Sequence, residues 1–358
     1  MTSKTLREAT LRRLFRNVAA SAVALFGVLA VEGAAAQGSP AEFYAGKNLE
    51  FVIGYTVGAA YDSNGRIVAR HIGKHIPGKP NVIVRNMPGA GSLVSANHLY
   101  SIASRDGSVI GMFSRGNAMY PLLEGDAKFE AEKFNWIGSA SKETSLVISG
   151  GATPFKTVEN IRRNEMTVGA TGAGADTVVL PAILNATIGT KLKPITGYPG
   201  NAEALLALER GEVHGNAGMS LGTVRTARPA WLTGGVVNLL VQMALEPHPT
   251  LLKNVPLALN LATDPIDRQA LELVLSRQSM AYPVLAPPGV PADRVAVLRA
   301  AFMATMKDAE FIADLERAGF EVSPMPGEEI ATLIKRVYAA PAEAISRARA
   351  AVAVGNKK

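Results

Sequence analysis

The sequence predicts an α/β protein of two lobes, each a doubly wound and mostly parallel sheet, with a ligand cleft between the lobes. Three observations lead there. Short apolar runs alternate with amphipathic stretches along the chain, as strands alternate with helices in doubly wound sheets. The alternation comes in two sets, the second starting near Leu146. An apolar run over 280–286 then reads as a return crossing to the first set. At 358 residues, 48% hydrophobic and 19% charged, the chain has material for two packed cores.

The first set is organised around residues 49–62, Leu-Glu-Phe-Val-Ile-Gly-Tyr-Thr-Val-Gly-Ala-Ala-Tyr-Asp. Its apolar half predicts a strand over 50–55 buried on both faces. The small residues after it form a loop, and Asp62 is placed to cap a helix over 63–75. Ile67, Val68, Ile72 and Ile76 form that helix's inward stripe. The free N–H groups at its start point past the strand end, a geometry that receives anions. Strand 81–85, helix 92–103 and strand 108–113 continue the β-α-β-α-β order. The second helix turns Leu93, Ala96, Tyr100 and Ala103 inward and is fed by the turn Pro88-Gly89-Ala90-Gly91. Ser114-Arg115-Gly116-Asn117 then leaves the same sheet edge as the first loop if the sheet is parallel. Arg115 there can clamp a carboxylate through two parallel N–H bonds; an exposed arginine at a strand end is the plainer alternative.

The second set reads as strand 146–149, helix 158–163, strand 166–170, helix 177–188, strand 194–197, helix 201–210 and strand 212–216. Strand 236–241 and helix 266–276 follow. Helices over 294–306, 309–318 and 328–351 are expected as a C-terminal layer on the first lobe. The lobes should therefore comprise residues 37–144 plus 282–358, and 145–281.

Residues 1–36 predict a cleaved export signal. Lys4, Arg7, Arg12, Arg13 and Arg16 form a basic region, residues 18–31 an apolar one, and Ala34-Ala35-Ala36 a small-residue cleavage site. The apolar run is shorter than the ~20 residues that span a bilayer. The mature protein is expected in the periplasm, and Arg12-Arg13 leaves Sec and twin-arginine export both open. Of the formal +7 charge, the first 36 residues carry much: without them 32 basic and 28 acidic residues remain. No basic run with interleaved aromatics survives in that remainder, which argues against nucleic acid as a partner. The absence of cysteine excludes a disulfide framework and a cysteine nucleophile or metal ligand.

Three motifs raise enzyme or metal chemistry. Gly218-Met219-Ser220-Leu221-Gly222 matches the nucleophile elbow of serine hydrolases. Only His248 follows Ser220, however, and Glu246, two residues from it, cannot orient it in the usual triad order. Gly169-x-x-Gly172-x-Gly174 has dinucleotide-loop spacing, but no acidic residue ends the next strand to meet a ribose. His71 and His75 stand one helical turn apart without the central glutamate of a metalloprotease helix, so a solvated helix face is the reading preferred. No cofactor, metal or catalytic residue is expected.

The loop Gly58-Ala59-Ala60-Tyr61-Asp62, the segment Val82-Ile83-Val84-Arg85-Asn86-Met87-Pro88-Gly89-Ala90-Gly91, and Asp106-Gly107 before a strand occur in an order that resembles the Bug or TctC family. These are substrate-binding proteins of tripartite tricarboxylate transporters. Val168-Gly169-Ala170-Thr171-Gly172-Ala173-Gly174, Gly197-Tyr198-Pro199-Gly200, Arg210-Gly211-Glu212-Val213 and Ala286-Pro287-Pro288-Gly289-Val290-Pro291 resemble its second half. The likeness spans nearly the whole chain after the signal, and Asn-x-Pro-Gly-Ala-Gly is its most specific part. There are two departures. Ala59-Ala60-Tyr61 stands where the family usually has paired glycines before the loop Asp, and Asp106-Gly107-Ser108 where it usually has Asp-Gly-Tyr.

The resemblance implies a type II periplasmic binding protein, non-enzymatic and monomeric, that closes around a small organic carboxylate and hands it to the permease subunits of a membrane transporter. An exported serine hydrolase using Ser220 and a receptor presenting its carboxylate to a sensor protein are the alternatives. In the family, loops of both lobes hold the carboxylate largely by backbone N–H groups and water. Carried over, the ligand-binding residues are Gly58, Ala59, Ala60, Tyr61 and Asp62 in the first lobe. Thr171, Gly172, Ala173, Gly174, Tyr198 and Pro199 belong to the second, with Ser114, Arg115 and Asn117 as further contacts. Asp62 would bind ligand polar groups or order its loop, with a plain helix cap as the alternative.

Overall fold

A computed structural model of the chain describes residues 39–356 apart from Asp126, Ala173, Gly174 and Leu251. The export segment and its cleavage point lie outside the described residues. So do Ala173 and Gly174 of the second-lobe loop.

The described strands are β1 (Asn48–Ile53), β2 (Asn81–Asn86), β3 (Val109–Met112), β4 (Asn135–Ser139), β5 (Ser145–Gly150), β6 (Met166–Gly169), β7 (Leu192–Ile195), β8 (Gly215–Ser220), β9 (Val237–Met243), β10 (Pro283–Ala286) and β11 (Met325–Pro326). They form two sheets, ordered β11-β4-β10-β3-β1-β2 and β7-β6-β8-β5-β9. β1 is the strand expected from its apolar run: Leu49, Phe51, Val52 and Ile53 are fully buried, and it pairs in parallel with β2 and β3. The α/β class and the two sheets agree with the sequence reading, but the sheets are mixed and not mostly parallel. β6 pairs in parallel with β7 and β8, whereas β5 runs antiparallel to β8 and β9, and β10 antiparallel to β3 and β4. Two reversed strands stand where the chain enters or re-enters a sheet, β5 leading into the second and β10 back into the first, and the short edge strand β11 is also antiparallel to β4. β4 has no counterpart among the expected strands, because Asn135 and Gly138 interrupt its apolar run.

The two passes between the sheets are joined to each other. Glu143 N–H donates to the Gln278 carbonyl at 2.7 Å, and Ala281 N–H to the Ser141 carbonyl at 3.0 Å. Tyr282 N–H adds a bond to Ser139 Oγ at 3.2 Å. Past β11 the expected single helix over 328–351 is two helices, Gly327–Tyr338 and Ala342–Asn356. Pro341 separates them, since it has no N–H to continue the ladder and disfavours helix in the residue before it. The first of the two packs on β4, in the first sheet. The second leaves that sheet, contrary to the expected C-terminal layer, and packs on the Asp176–Ile188 and Pro265–Leu275 helices. Its buried Ala344, Ala348, Ala351 and Val352 recur at helical spacing, and the small side chains permit close approach. No helix among the described residues is long and apolar enough to cross a membrane.

The first sheet's far layer depends on Phe302 of the Ala292–Thr305 helix, which is fully buried over Gly138 of β4; a Cβ built there would stand 2.4 Å from its ring. Phe302→Ala should cost about 3–5 kcal/mol, measured as a lower denaturant midpoint at unchanged m-value. A loss below about 1 kcal/mol would mean that this contact is not part of the core.

Candidate functional site

The loop that follows β1 is built around Asp62. Gly58 adopts φ +85°, a left-handed turn that lets its N–H donate to Asp62 Oδ2 at 2.8 Å. Asn86, the last residue of β2, donates from Nδ2 to Asp62 Oδ1 at 2.7 Å and to the Tyr55 carbonyl at 2.8 Å. Arg66 Nε reaches the two carboxylate oxygens at 2.9 and 3.0 Å, and its Nη2 donates to Asn86 Oδ1 at 2.7 Å. Burial opposes the ionisation of Asp62, but Asn86, Gly58 and Arg66 outweigh it and hold the carboxyl below its ordinary range. With Asp62 only 2% exposed, its role is to order the loop. The helix cap falls instead to Ala59, which has no side-chain acceptor. The Gly58 N–H, taken by Asp62, is not available to a ligand. What remains are the N–H groups of Ala60, Tyr61 and Asp62, which open the Ala60–Ile72 helix ahead of its first intrahelical bond.

The next loop aims Arg115. Ala90, Gly91 and Ser92 are all left-handed, at φ 46°, 61° and 67°, a run that costs energy at the two non-glycine positions. It places Ser92 Oγ where Ser114 N–H donates at 2.7 Å and Asn117 Nδ2 at 3.2 Å. Ser114 and Asn117 thus brace the turn between them. The Arg115 N–H donates to Tyr61 Oη at 3.0 Å. The Tyr61 ring stacks on Tyr55 with centroids 4.4 Å apart and meets Tyr282 edge-on at 5.0 Å.

From the other sheet comes Asp176, the first residue of the Asp176–Ile188 helix. Gly218, near the end of β8, carries φ +104°, and a Cβ there would stand 2.5 Å from the Asp176 carbonyl oxygen, so only glycine lets the strand approach the helix start. Arg115 Nη2 donates to Asp176 Oδ2 at 2.5 Å, and Arg277 Nη1 to Oδ1 at 3.3 Å. Gln278 Nε2 adds a 3.4 Å bond to Oδ2, and Arg277 Nε is fixed by the Val274 carbonyl at 3.1 Å. Burial disfavours the charge on Asp176, yet Arg115 and Arg277 override it and keep the carboxyl ionised below its ordinary range. Burial lowers the Arg277 pKa, with Asp176 opposing it. Glu143, on the first pass between the sheets, is pushed up to about 7 by burial, against the pull of Arg115 and the backbone N–H groups of Gly222 and Thr144.

These groups line a cavity of about 830 Å³, within the range of small-molecule sites. Ala60, Tyr61, Ser114, Arg115, Asn117 and Thr171 of the expected residues lie on it. Gly58 lines a larger adjoining cavity of about 1360 Å³, which shares Ala60, Glu143, Ser220, Thr223 and Tyr282 with the first. The guanidinium cluster faces the smaller cavity, which is therefore the better candidate for anion chemistry. Ala59, Asp62, Gly172, Tyr198 and Pro199 are on neither lining. Tyr198 packs into a hydrophobic cluster of the second sheet, Pro199 is exposed, and the Thr171 N–H is taken by Thr177 Oγ1 at 3.1 Å. Sequence reasoning missed Asp176, Arg277, Glu143 and Tyr282. Asp176 had a signal, an acid directly after a small-residue loop at a helix start; the other three belong to the passes between sheets and had none.

The remaining motifs find structural roles. Ser220 Oγ caps the Leu221–Ala227 helix, accepting from Thr223 N–H at 3.0 Å and lying 2.9 Å from Thr223 Oγ1. The His71–His75 pair is not a solvated face. His71 Nε2 lies 3.0 Å from Asp314 Oδ2 and His75 Nε2 2.9 Å from Asp308 Oδ2, pinning their helix to the Ala309–Arg317 helix. His71, Asp308 and Glu310 come within metal-binding reach of one another, but the Lys74 ammonium already contacts both carboxylates, at 2.6 and 2.8 Å.

Residues 65–241 match the family model described as the tripartite tricarboxylate transporter family receptor, TctC. Among solved structures the chain is similar to a TctC solute-binding protein from Polaromonas, at 22% identity and TM-score 0.66 over 83% of this chain and 96% of that one. It is similar to MatC of Rhodopseudomonas palustris with bound malate, at 21% identity and TM-score 0.57 over 86% and 99% of the two chains. An adipate-bound R. palustris protein matches at 16% identity and TM-score 0.59 over 85% and 97%. No curated protein sequence matches the chain. At these identities the structural likeness speaks to the fold, which is that of the periplasmic binding proteins.

The electrostatics of the site can be read without a ligand. The folded pKa of Glu143, about 7, lies above the ordinary 4.5, so its contribution to stability is fully present below the lower value and is lost as pH rises through the higher one. Glu143→Gln, which never ionises, should gain stability over wild type at pH 8 by roughly 1–3 kcal/mol and gain little at pH 5. Thermal melts at the two pH values check this; an equal difference at both would show that Glu143 titrates normally.

Proposed function

Because the chain belongs to the tripartite tricarboxylate transporter receptor family, we propose that it captures a small organic carboxylate in the cleft formed by Arg115, Asp176 and Arg277. The observation that carries this reading is an imbalance of charge. Two guanidinium groups converge on the single carboxylate of Asp176, so this ion-pair cluster carries one positive charge more than it cancels, and the adjoining Glu143, which burial pushes up to about 7, offsets that surplus only in part near pH 7. A ligand carboxylate supplies the missing charge and matches the planar donor fork of arginine. The N–H groups of Ala60 and Tyr61, at a helix start beside the same cavity, add partial positive charge. Malate in MatC and adipate in the second R. palustris protein are carboxylates too.

Capture works by closure in this reading. The two hydrogen-bonded passes between the sheets act as the hinge, and Arg115 and Asp176 bring opposite sides of the cleft together. The lobes follow the two sheets, with the Ala342–Asn356 helix assigned to the second. The protein is exported with its signal removed near Ala36, acts as a monomer, carries no enzymatic activity and delivers its ligand to membrane permease subunits. The engagement of Ser220 Oγ as a helix cap supports the non-enzymatic part.

A thermal-shift screen of carboxylates tests the central step. A true ligand at ~100 times its dissociation constant stabilises the fold by about 2.7 kcal/mol. Arg277→Gln should keep the fold by circular dichroism and lose roughly ten- to a hundredfold in affinity, the value of hydrogen bonds to a charged group. Unchanged affinity in that variant would place the carboxylate elsewhere.

A further inference from the structure

The lining of the cleft is uneven in a way that narrows the class of ligand. Arg115 and Arg277 are its only lysine or arginine residues among the described ones, and both stand at one end, on Asp176. Arg115 uses Nη2 and Arg277 uses Nη1 on that carboxylate, so the other terminal nitrogen of each guanidinium takes no part in those bonds, and both residues line the cavity. The other charged residues on the lining, Glu124 and Glu143, are acids. One ligand carboxylate therefore finds a counter-charge. A second one meets either Asp176 beside the first or a wall with no cation.

That wall is aromatic and apolar. Tyr61 is held flat against Tyr55 and edge-on to Tyr282, and all three rings line the cavity. Leu93, Leu123 and Val179 extend the apolar surface. Tyr61 belongs to the segment Ala59-Ala60-Tyr61, one of the two departures from the family pattern. Its hydroxyl is engaged by the Arg115 N–H, which ties the aromatic wall to the guanidinium end at a fixed distance.

We propose that the cleft selects an aromatic monocarboxylate, its carboxylate on Arg115 and Arg277 and its ring against the Tyr55, Tyr61 and Tyr282 cluster. This rests on the reading that the cleft binds carboxylates at all. Rings at the separations seen among these tyrosines gain from edge and offset contacts beyond the area they bury. A planar acid places such a ring within reach of the wall while presenting one charge.

Calorimetric titration of the mature protein with benzoate, cyclohexanecarboxylate, malate and adipate tests this. Benzoate should bind at least tenfold tighter than malate and adipate, and about three- to tenfold tighter than cyclohexanecarboxylate, the worth of aromatic contacts. Tyr61→Leu should remove the preference for benzoate over cyclohexanecarboxylate. Tighter binding of malate or adipate, or equal binding of the two ring acids, would overturn the aromatic assignment and leave carboxylate capture standing. Binding of none of the four, with no hit in a wider carboxylate screen, would remove both.

Discussion

Asp176, held between Arg115 and Arg277, is the constraint on which the cleft depends. None of the three could occupy a partly desolvated site alone, since an unpaired charge there is costly and an ion pair is favourable only when its geometry and remaining hydrogen bonds are satisfied. Much of the surrounding backbone is explained by that requirement. Gly218 lets β8 press against the start of the Asp176 helix, and the left-handed run through Ser92 fastens the turn that carries Arg115. Arg277 is anchored by the Val274 carbonyl at the point where the chain is about to return to the first sheet. Parts of the chain that are distant in sequence thus meet on one carboxylate.

The same residues separate ordering from binding. In the first loop Asp62 is consumed by Gly58, Arg66 and Asn86, so the most distinctive stretch of sequence, beginning at Asn86, serves as a brace. The brace leaves the helix start exposed to the cavity without placing a carboxylate there. Asp176, by contrast, sits in the cavity wall and shapes the field within it. Glu143 shares that field: as it gains a charge, the surplus left by the two arginines falls, so anion affinity and proton uptake are linked through one small group of side chains.

Local patterns made much of this architecture legible. β1 and its helix follow from an apolar run and a stripe at helical spacing, and the return crossing follows from an isolated apolar stretch after the second set. Ser114, Arg115 and Asn117 were expected beside the first loop by the rule that loops after parallel strands gather at one sheet edge, whereas Ala60, Tyr61 and Thr171 came from the family resemblance; all six lie on one cavity. What stayed hidden depends on contacts between distant segments. β4 is completed by pairing with β10 and β11, and Pro341 sends the last helix across to the second sheet, where its small buried face finds a partner. Arg277 and Glu143 look like ordinary surface charges in sequence, and only the meeting of the two passes brings them to the site. Tyr198 and Pro199 show the converse, a recognisable turn whose side chains face away from the cavity.

Whether the guanidinium groups or the helix-start N–H groups hold the ligand decides the account most directly. A crystal structure with a bound carboxylate should show its oxygens at about 2.7–2.9 Å from guanidinium nitrogens of Arg115 or Arg277, the spacing of charge-assisted bonds. A carboxylate resting only on the N–H groups of residues 60–62, with both arginines still bonded to Asp176 alone, would contradict it.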